Sequence, residues 1–194
     1  NYVFSGVSDH LKFEMRNRGV ILAPASGKSF KTEVPFTGTG GCVMQGAGTL
    51  AFGTGAWAFT GALDVQGGTV DLSSAGAVTD RKVTGSGTLS SGAFSGLTLA
   101  LPASDDWTPS NTLTFASCTF AGRTKVDFGR TAEAPLDGIL PKNLTVAYYT
   151  GAAPDVSGWK MTGSGIDNVA GVFTAADGAI RMTARRAGMV FSLR

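Results

Sequence analysis

The residues able to do chemistry are few and scattered. His10 is the single histidine. A metal pair would need a second histidine; a Ser-His-Asp triad is formally possible with one, but no Gly-x-Ser-x-Gly elbow occurs to present its nucleophile. Asp105-Asp106 is the one Asp-Asp pair, following Pro102 and Ser104. Glycosidic cleavage uses two carboxylates flanking one bond, whereas adjacent residues of a strand point to opposite faces. The pair therefore reads as a solvated turn rather than an acid/base couple. Cys42 and Cys118 lie 76 positions apart. Two cysteines do not make a zinc site; they read either as one long-range disulfide or as two buried thiols. No cofactor motif occurs: Gly27-Lys28-Ser29 has the tail of a phosphate loop, but Leu22 stands where its first glycine belongs. No cofactor is expected. A structural calcium stays open, since Asp155, Asp167 and Asp177 are spread through a glycine-rich region and carboxylates with loop carbonyls suffice.

Aromatic rings offer a different chemistry. A ring lying flat on a rigid surface can stack on the apolar face of a sugar, while nearby carboxylates take the hydroxyls. Trp107 sits in the polar stretch Ser104–Ser110, Trp159 follows Asp155-Val156-Ser157-Gly158, and Tyr148-Tyr149 form a pair whose rings must diverge on a strand. Trp57 lies between Ala56 and Ala58 and reads as core. The candidate carbohydrate-binding set is Trp107, Trp159, Tyr148 and Tyr149, with Asp105, Asp106 and Asp155 as hydrogen-bonding partners. No catalytic residue and no metal ligand is expected.

Positioning such rings requires a scaffold, and the composition indicates strands. The 194 residues include 28 Gly and 22 Thr but only 3 Glu. Glu favours helices, whereas Thr and β-branched residues fit pleated surfaces. Lys plus Arg is 16 against 14 for Asp plus Glu, a net charge of +2, too small an excess to neutralise a nucleic-acid backbone. No apolar run approaches the roughly 18 residues of a membrane-spanning helix.

Short β-branched or aromatic runs alternate with glycine-bearing turns from about residue 42 onward. Gly48-Thr49-Leu50 recurs as Gly68-Thr69-Val70 after 20 residues and as Gly87-Thr88-Leu89 after 19 more. A looser echo, Asn111-Thr112-Leu113, follows 24 later. A period near 20 is too short for a propeller blade and fits one coil of a parallel β-solenoid, with stacked glycine corners. The expected fold is all-β: a right-handed parallel β-helix with short terminal caps. A β-sandwich or jelly roll is the alternative, because Leu97-Thr98-Leu99-Ala100-Leu101 alternates cleanly. A single domain spans 1–194: an irregular N-terminal cap over 1–40, coils over 41–175 and closing strands over 176–194. There Arg181, Arg185, Arg186 and Arg194 read as solubilising an open edge. Beginning at Asn1, without Met or a signal peptide, the chain reads as a segment of a longer protein.

Gly46-Ala47-Gly48-Thr49-Leu50-Ala51-Phe52 and Phe59 to Leu72, with Gly85-Ser86-Gly87-Thr88-Leu89 as a third echo, resemble the autotransporter-associated β-strand repeat. That resemblance implies a right-handed parallel β-helix in a secreted or cell-surface bacterial protein, and no enzyme. The length also looks like that of β-helical carbohydrate-binding modules of xylanase-type secreted enzymes. The function this implies is non-catalytic binding of a plant cell-wall polysaccharide, xylan foremost, that targets an appended glycoside hydrolase. The alternative is a structural or adhesin passenger segment. The expected partners are a polysaccharide and an attached glycoside hydrolase domain, with no nucleic acid and no membrane span.

Overall fold

The computed structural model describes residues 2–4, 13–15, 19–104, 107–136, 142–167 and 169–187. Its strands, in chain order, begin with β1 (Tyr2–Phe4), β2 (Phe13–Glu14), β3 (Val20–Leu22), β4 (Ser29–Thr32), β5 (Phe36–Gly38), β6 (Cys42–Met44), β7 (Thr49–Phe52) and β8 (Trp57–Phe59). Next come β9 (Leu63–Val65), β10 (Thr69–Asp71), β11 (Ala77–Thr79), β12 (Lys82–Gly85), β13 (Thr88–Ser90), β14 (Ala93–Ser95) and β15 (Thr98–Ala100). The last are β16 (Thr114–Ala116), β17 (Thr119–Ala121), β18 (Lys125–Asp127), β19 (Lys142–Thr150), β20 (Lys160–Thr162), β21 (Val169–Ala176) and β22 (Ala179–Arg186). Among the described residues there is no helix long and apolar enough to cross a membrane.

The protein is all-β with mostly parallel sheets. Most strands pair with the strand three places along in chain order; the pairings of β18 with β20 and of β21 with β22 depart from this. The nine-stranded sheet runs β1-β4-β7-β10-β13-β16-β19-β22-β21, and the seven-stranded sheet runs β20-β18-β15-β12-β9-β6-β3. Two three-stranded sheets, β2-β5-β8 and β11-β14-β17, complete the set. Among the described residues, every pairing is parallel except those of β22 with β19 and β21. The short strands of a purely antiparallel sandwich would pair with sequence neighbours through hairpins, and here only the last two do so.

The repeat read from the sequence is the pairing register. Thr49 pairs with Thr69 and Thr69 with Thr88, so Leu50, Val70 and Leu89 stack in one inward column. The column continues with Phe30 on one side and Phe115 and Tyr149 on the other. Leu50, Val70, Leu89 and Phe115 are all buried. The pattern also reaches back before residue 42, since β3, β4 and β5 pair with β6, β7 and β8. Part of the stretch expected to be an irregular cap over 1–40 thus already follows the repeat. The echo at Thr112 is out of register: Thr88 pairs with Thr114, 26 residues on, because the loop after β15 lengthens that turn of chain. Thr112 is instead buried, its hydroxyl donating to the Thr108 carbonyl at 2.7 Å.

Glycine permits the close approach between successive turns of chain. Gly68 has φ +62°, and a Cβ there would fall 2.4 Å from the carbonyl oxygens of both Gly46 and Gly48. No L side chain fits that space, and few adopt that backbone. The C-terminal end changes pattern. β21 and β22 form an antiparallel hairpin closed by Asp177 and Gly178, at φ 52° and 72°. Both central residues are left-handed, the turn that suits a two-residue hairpin. An irregularity between Thr145 and Ala147 in β19 lets consecutive Val146 and Ala147 both be buried, as a bulge does.

Candidate functional site

Trp107 and Trp159 are buried in the core, so neither offers an exposed platform. The loop after β15 folds back and carries the Trp107 ring inward. Its indole N–H donates to the Pro102 carbonyl at 3.1 Å, and Phe128 meets the ring edge-on at 5.5 Å. The Arg130 guanidinium lies 5.9 Å from the ring centroid and donates to the Ser104 carbonyl. The local sequence is polar, but the loop satisfies the indole N–H by itself, which removes the cost of burying it. Trp159 packs edge-on against Phe120 and Phe115 and tilts toward Phe173, with centroids at 5.2, 6.5 and 5.8 Å. It fills the end of the core under the antiparallel hairpin. Trp57 is core too, stacked on Phe59.

The two tyrosines diverge as strand alternation requires. Tyr149 continues the inward column above Phe115 and packs against the core. Tyr148 pairs with Thr114 and takes the outward column, half-buried. Asp105 and Asp106 lie outside the described residues. Asp155 is exposed, and its Oδ1 accepts the Ser157 N–H at 2.9 Å. That backbone bond, helped by a side-chain bond from Ser157, holds its carboxyl below the ordinary value. The structure does not gather the candidate set: one ring faces outward, three lie in or against the core, and Asp155 sits in a turn.

What stands beside Tyr148 is a column that the candidate set omitted. Thr49, Thr69, Thr88 and Thr114 face outward one strand apart, with Ser29 before them and Tyr148 after them. None of the four threonine hydroxyls has a hydrogen-bond partner among the described residues. At about 4.8 Å per strand, the row from Thr49 to Tyr148 spans about 19 Å. Two positions along each strand lies a second outward column of Lys31, Ala51, Asp71, Ser90, Ala116 and Thr150. The signal for the row was in the Gly-Thr-Leu repeat itself. If Leu points inward, Thr must point outward, and identical registers stack the threonines.

Cys42 and Cys118 are free and buried. Burial pushes the Cys42 thiol up to about 12. It also raises Cys118, against backbone hydrogen bonds that act in the opposite direction. Among the described residues, no three His, Cys, Asp or Glu side chains come together in a way that could hold a metal ion. No family model matches the chain, and neither a curated protein nor a solved structure matches it.

Proposed function

We propose that this chain is a right-handed parallel β-helix module of a secreted or cell-surface bacterial protein, and that it binds a plant cell-wall polysaccharide without cleaving it. The ligand is a neutral, xylan-like chain, and the module targets an appended glycoside hydrolase to it. The observation that carries the reading is the in-register row of Thr49, Thr69, Thr88 and Thr114 ending at Tyr148. Free hydroxyls at a fixed spacing can exchange hydrogen bonds with a row of sugar hydroxyls. A tyrosine ring at one end can stack on a sugar face. The surrounding strands are short and backed by a packed core, so the row is rigid before any ligand arrives. Trp107, Trp159 and Tyr149 contribute by packing in this reading. Affinity gel electrophoresis tests it: a neutral xylan should retard the protein and retard Tyr148→Ala several-fold less. Absence of retardation on every neutral polysaccharide would overturn it.

The burial of Trp107 and Trp159 favours a second reading, a structural or adhesin passenger segment. It predicts no glycan retardation and no effect of Tyr148→Ala on the mobility of the protein in such gels.

A further inference from the structure

The seven-stranded sheet carries a charged row of its own. Lys82 pairs with Thr98, Thr98 with Lys125, and Lys125 with Lys160. All three lysines are exposed, while the neighbouring Val83 and Val126 are buried, so the ammonium groups share the outer face. At about 4.8 Å per strand, three cations lie within about 14 Å along one straight line. None of them has an ion pair or hydrogen bond to another described residue. Like charges directly opposite each other on neighbouring strands are destabilising, and Lys125 and Lys160 are in that relation. An anion lying along the row would offset that repulsion.

Two positions along each strand runs a second outward column. It holds Asp64 and Thr84, paired with each other, and Asp127, paired with Ala100 and Thr162. Asp127 Oδ1 accepts the Gly129 N–H at 3.1 Å, Asp64 Oδ2 accepts the Gln66 side-chain amide at 2.7 Å, and both aspartates are half-buried. The face therefore presents cations on one line and hydroxyl or carboxylate oxygens on the next.

We propose that this face docks an acidic polysaccharide, a chain of uronic acid units. Such a polymer carries carboxylates that suit the lysine row and hydroxyls that can donate to the oxygens beside it. DNA fits less well. It carries a charge about every 1.7 Å along its axis, denser than this row can neutralise, and its phosphates would meet Asp64 and Asp127. The surface differs from the threonine face, and its ligand differs in charge, so the two stand or fall separately.

The test uses the full chain and polygalacturonate in affinity gels and in titration calorimetry. Polygalacturonate should bind at low salt, and binding should fall about tenfold or more at high salt, because exposed charge pairs are screened. Its fully methyl-esterified form, uncharged on the same backbone, should not bind. Lys82→Glu/Lys125→Glu/Lys160→Glu should lose about tenfold or more, while Lys28→Glu, in a turn remote from the row, should bind as the parent does. Should the triple Glu variant not fold by circular dichroism, Lys82→Gln/Lys125→Gln/Lys160→Gln provides the same comparison. Equal retention on the methyl ester, undiminished binding by the lysine variants, or tighter binding of double-stranded DNA than of polygalacturonate would each overturn the proposal.

Discussion

Replacing Gly68 by alanine tests whether the glycines serve the close stacking of successive turns of chain. Gly68 and Gly55 have similar backbones, with φ +62° and +72°. Their surroundings differ. A Cβ at Gly55 meets nothing within 4 Å, whereas one at Gly68 falls 2.4 Å from two carbonyl oxygens of the previous turn and 2.9 Å from Met44 Cε. Met44 could shift, but the carbonyls are main chain, and that of Gly48 accepts the Thr69 N–H at 3.0 Å. Both substitutions share the left-handed penalty of about 1–2 kcal/mol. Both also share the small gain from a stiffer unfolded chain, about 0.4–1 kcal/mol. Only Gly68→Ala adds overpacking, about 1–3 kcal/mol. The difference between the variants is therefore about 1–3 kcal/mol. At roughly 2–4 °C per kcal/mol for a chain of this size, Gly68→Ala should melt some 2–12 °C below Gly55→Ala. Urea and thermal denaturation followed by far-ultraviolet circular dichroism would measure it. Equal loss in the two variants would refute the stacking argument, since only the shared backbone term would then operate.

Other consequences follow from the same packing. Phe115, which meets Phe94, Phe120 and Trp159 within the core, should cost about 3–5 kcal/mol when changed to alanine, read as a lower urea midpoint. Burial disfavours the Cys42 and Cys118 thiolates. The folded protein should therefore resist a disulfide-exchange reagent at pH 8 for as long as it stays folded, and the urea-unfolded chain should react at both sites; rapid labelling of the native state would contradict the burial. Asp155 has its pKa lowered by the Ser157 bonds. The bond is thus present above the ordinary carboxyl value and is lost as pH falls through the depressed one. In an NMR titration the Ser157 amide should shift with a midpoint below that of an ordinary aspartate, and a midpoint at or above the ordinary one would contradict the hydrogen bond.

The parallel pairing was legible because the inward column is written almost unchanged. Gly48-Thr49-Leu50, Gly68-Thr69-Val70 and Gly87-Thr88-Leu89 keep both the spacing and the alternation. It faded where the chain adds residues between strands. The lengthened loop before β16 moves the partner of Thr88 to Thr114, and sequence similarity alone then selected Thr112, two residues away. Leu97, Leu99 and Leu101 are buried in alternation with half-exposed Thr98 and Ala100. That alternation left a sandwich open because a parallel strand with one wet face has the same period as an antiparallel one. The rings misled for a related reason. Polar neighbours around Trp107 suggested exposure, yet the Pro102 carbonyl that satisfies its N–H becomes available only once the loop has folded. Tyr148 and Tyr149 were separable by alternation in principle, but which of them faced outward depended on the register with Phe115. The lysine row was invisible in one dimension, since Lys82, Lys125 and Lys160 are brought together only by pairing across turns of 16, 27 and 35 residues.

Mapping of backbone amide shifts on addition of a neutral xylo-oligosaccharide tests the polysaccharide reading most directly. Saturable shifts are predicted for Thr49, Thr69, Thr88, Thr114 and Tyr148, with the amides of β18 and β20 unmoved. An absence of shifts, or shifts confined to other faces of the protein, would contradict it.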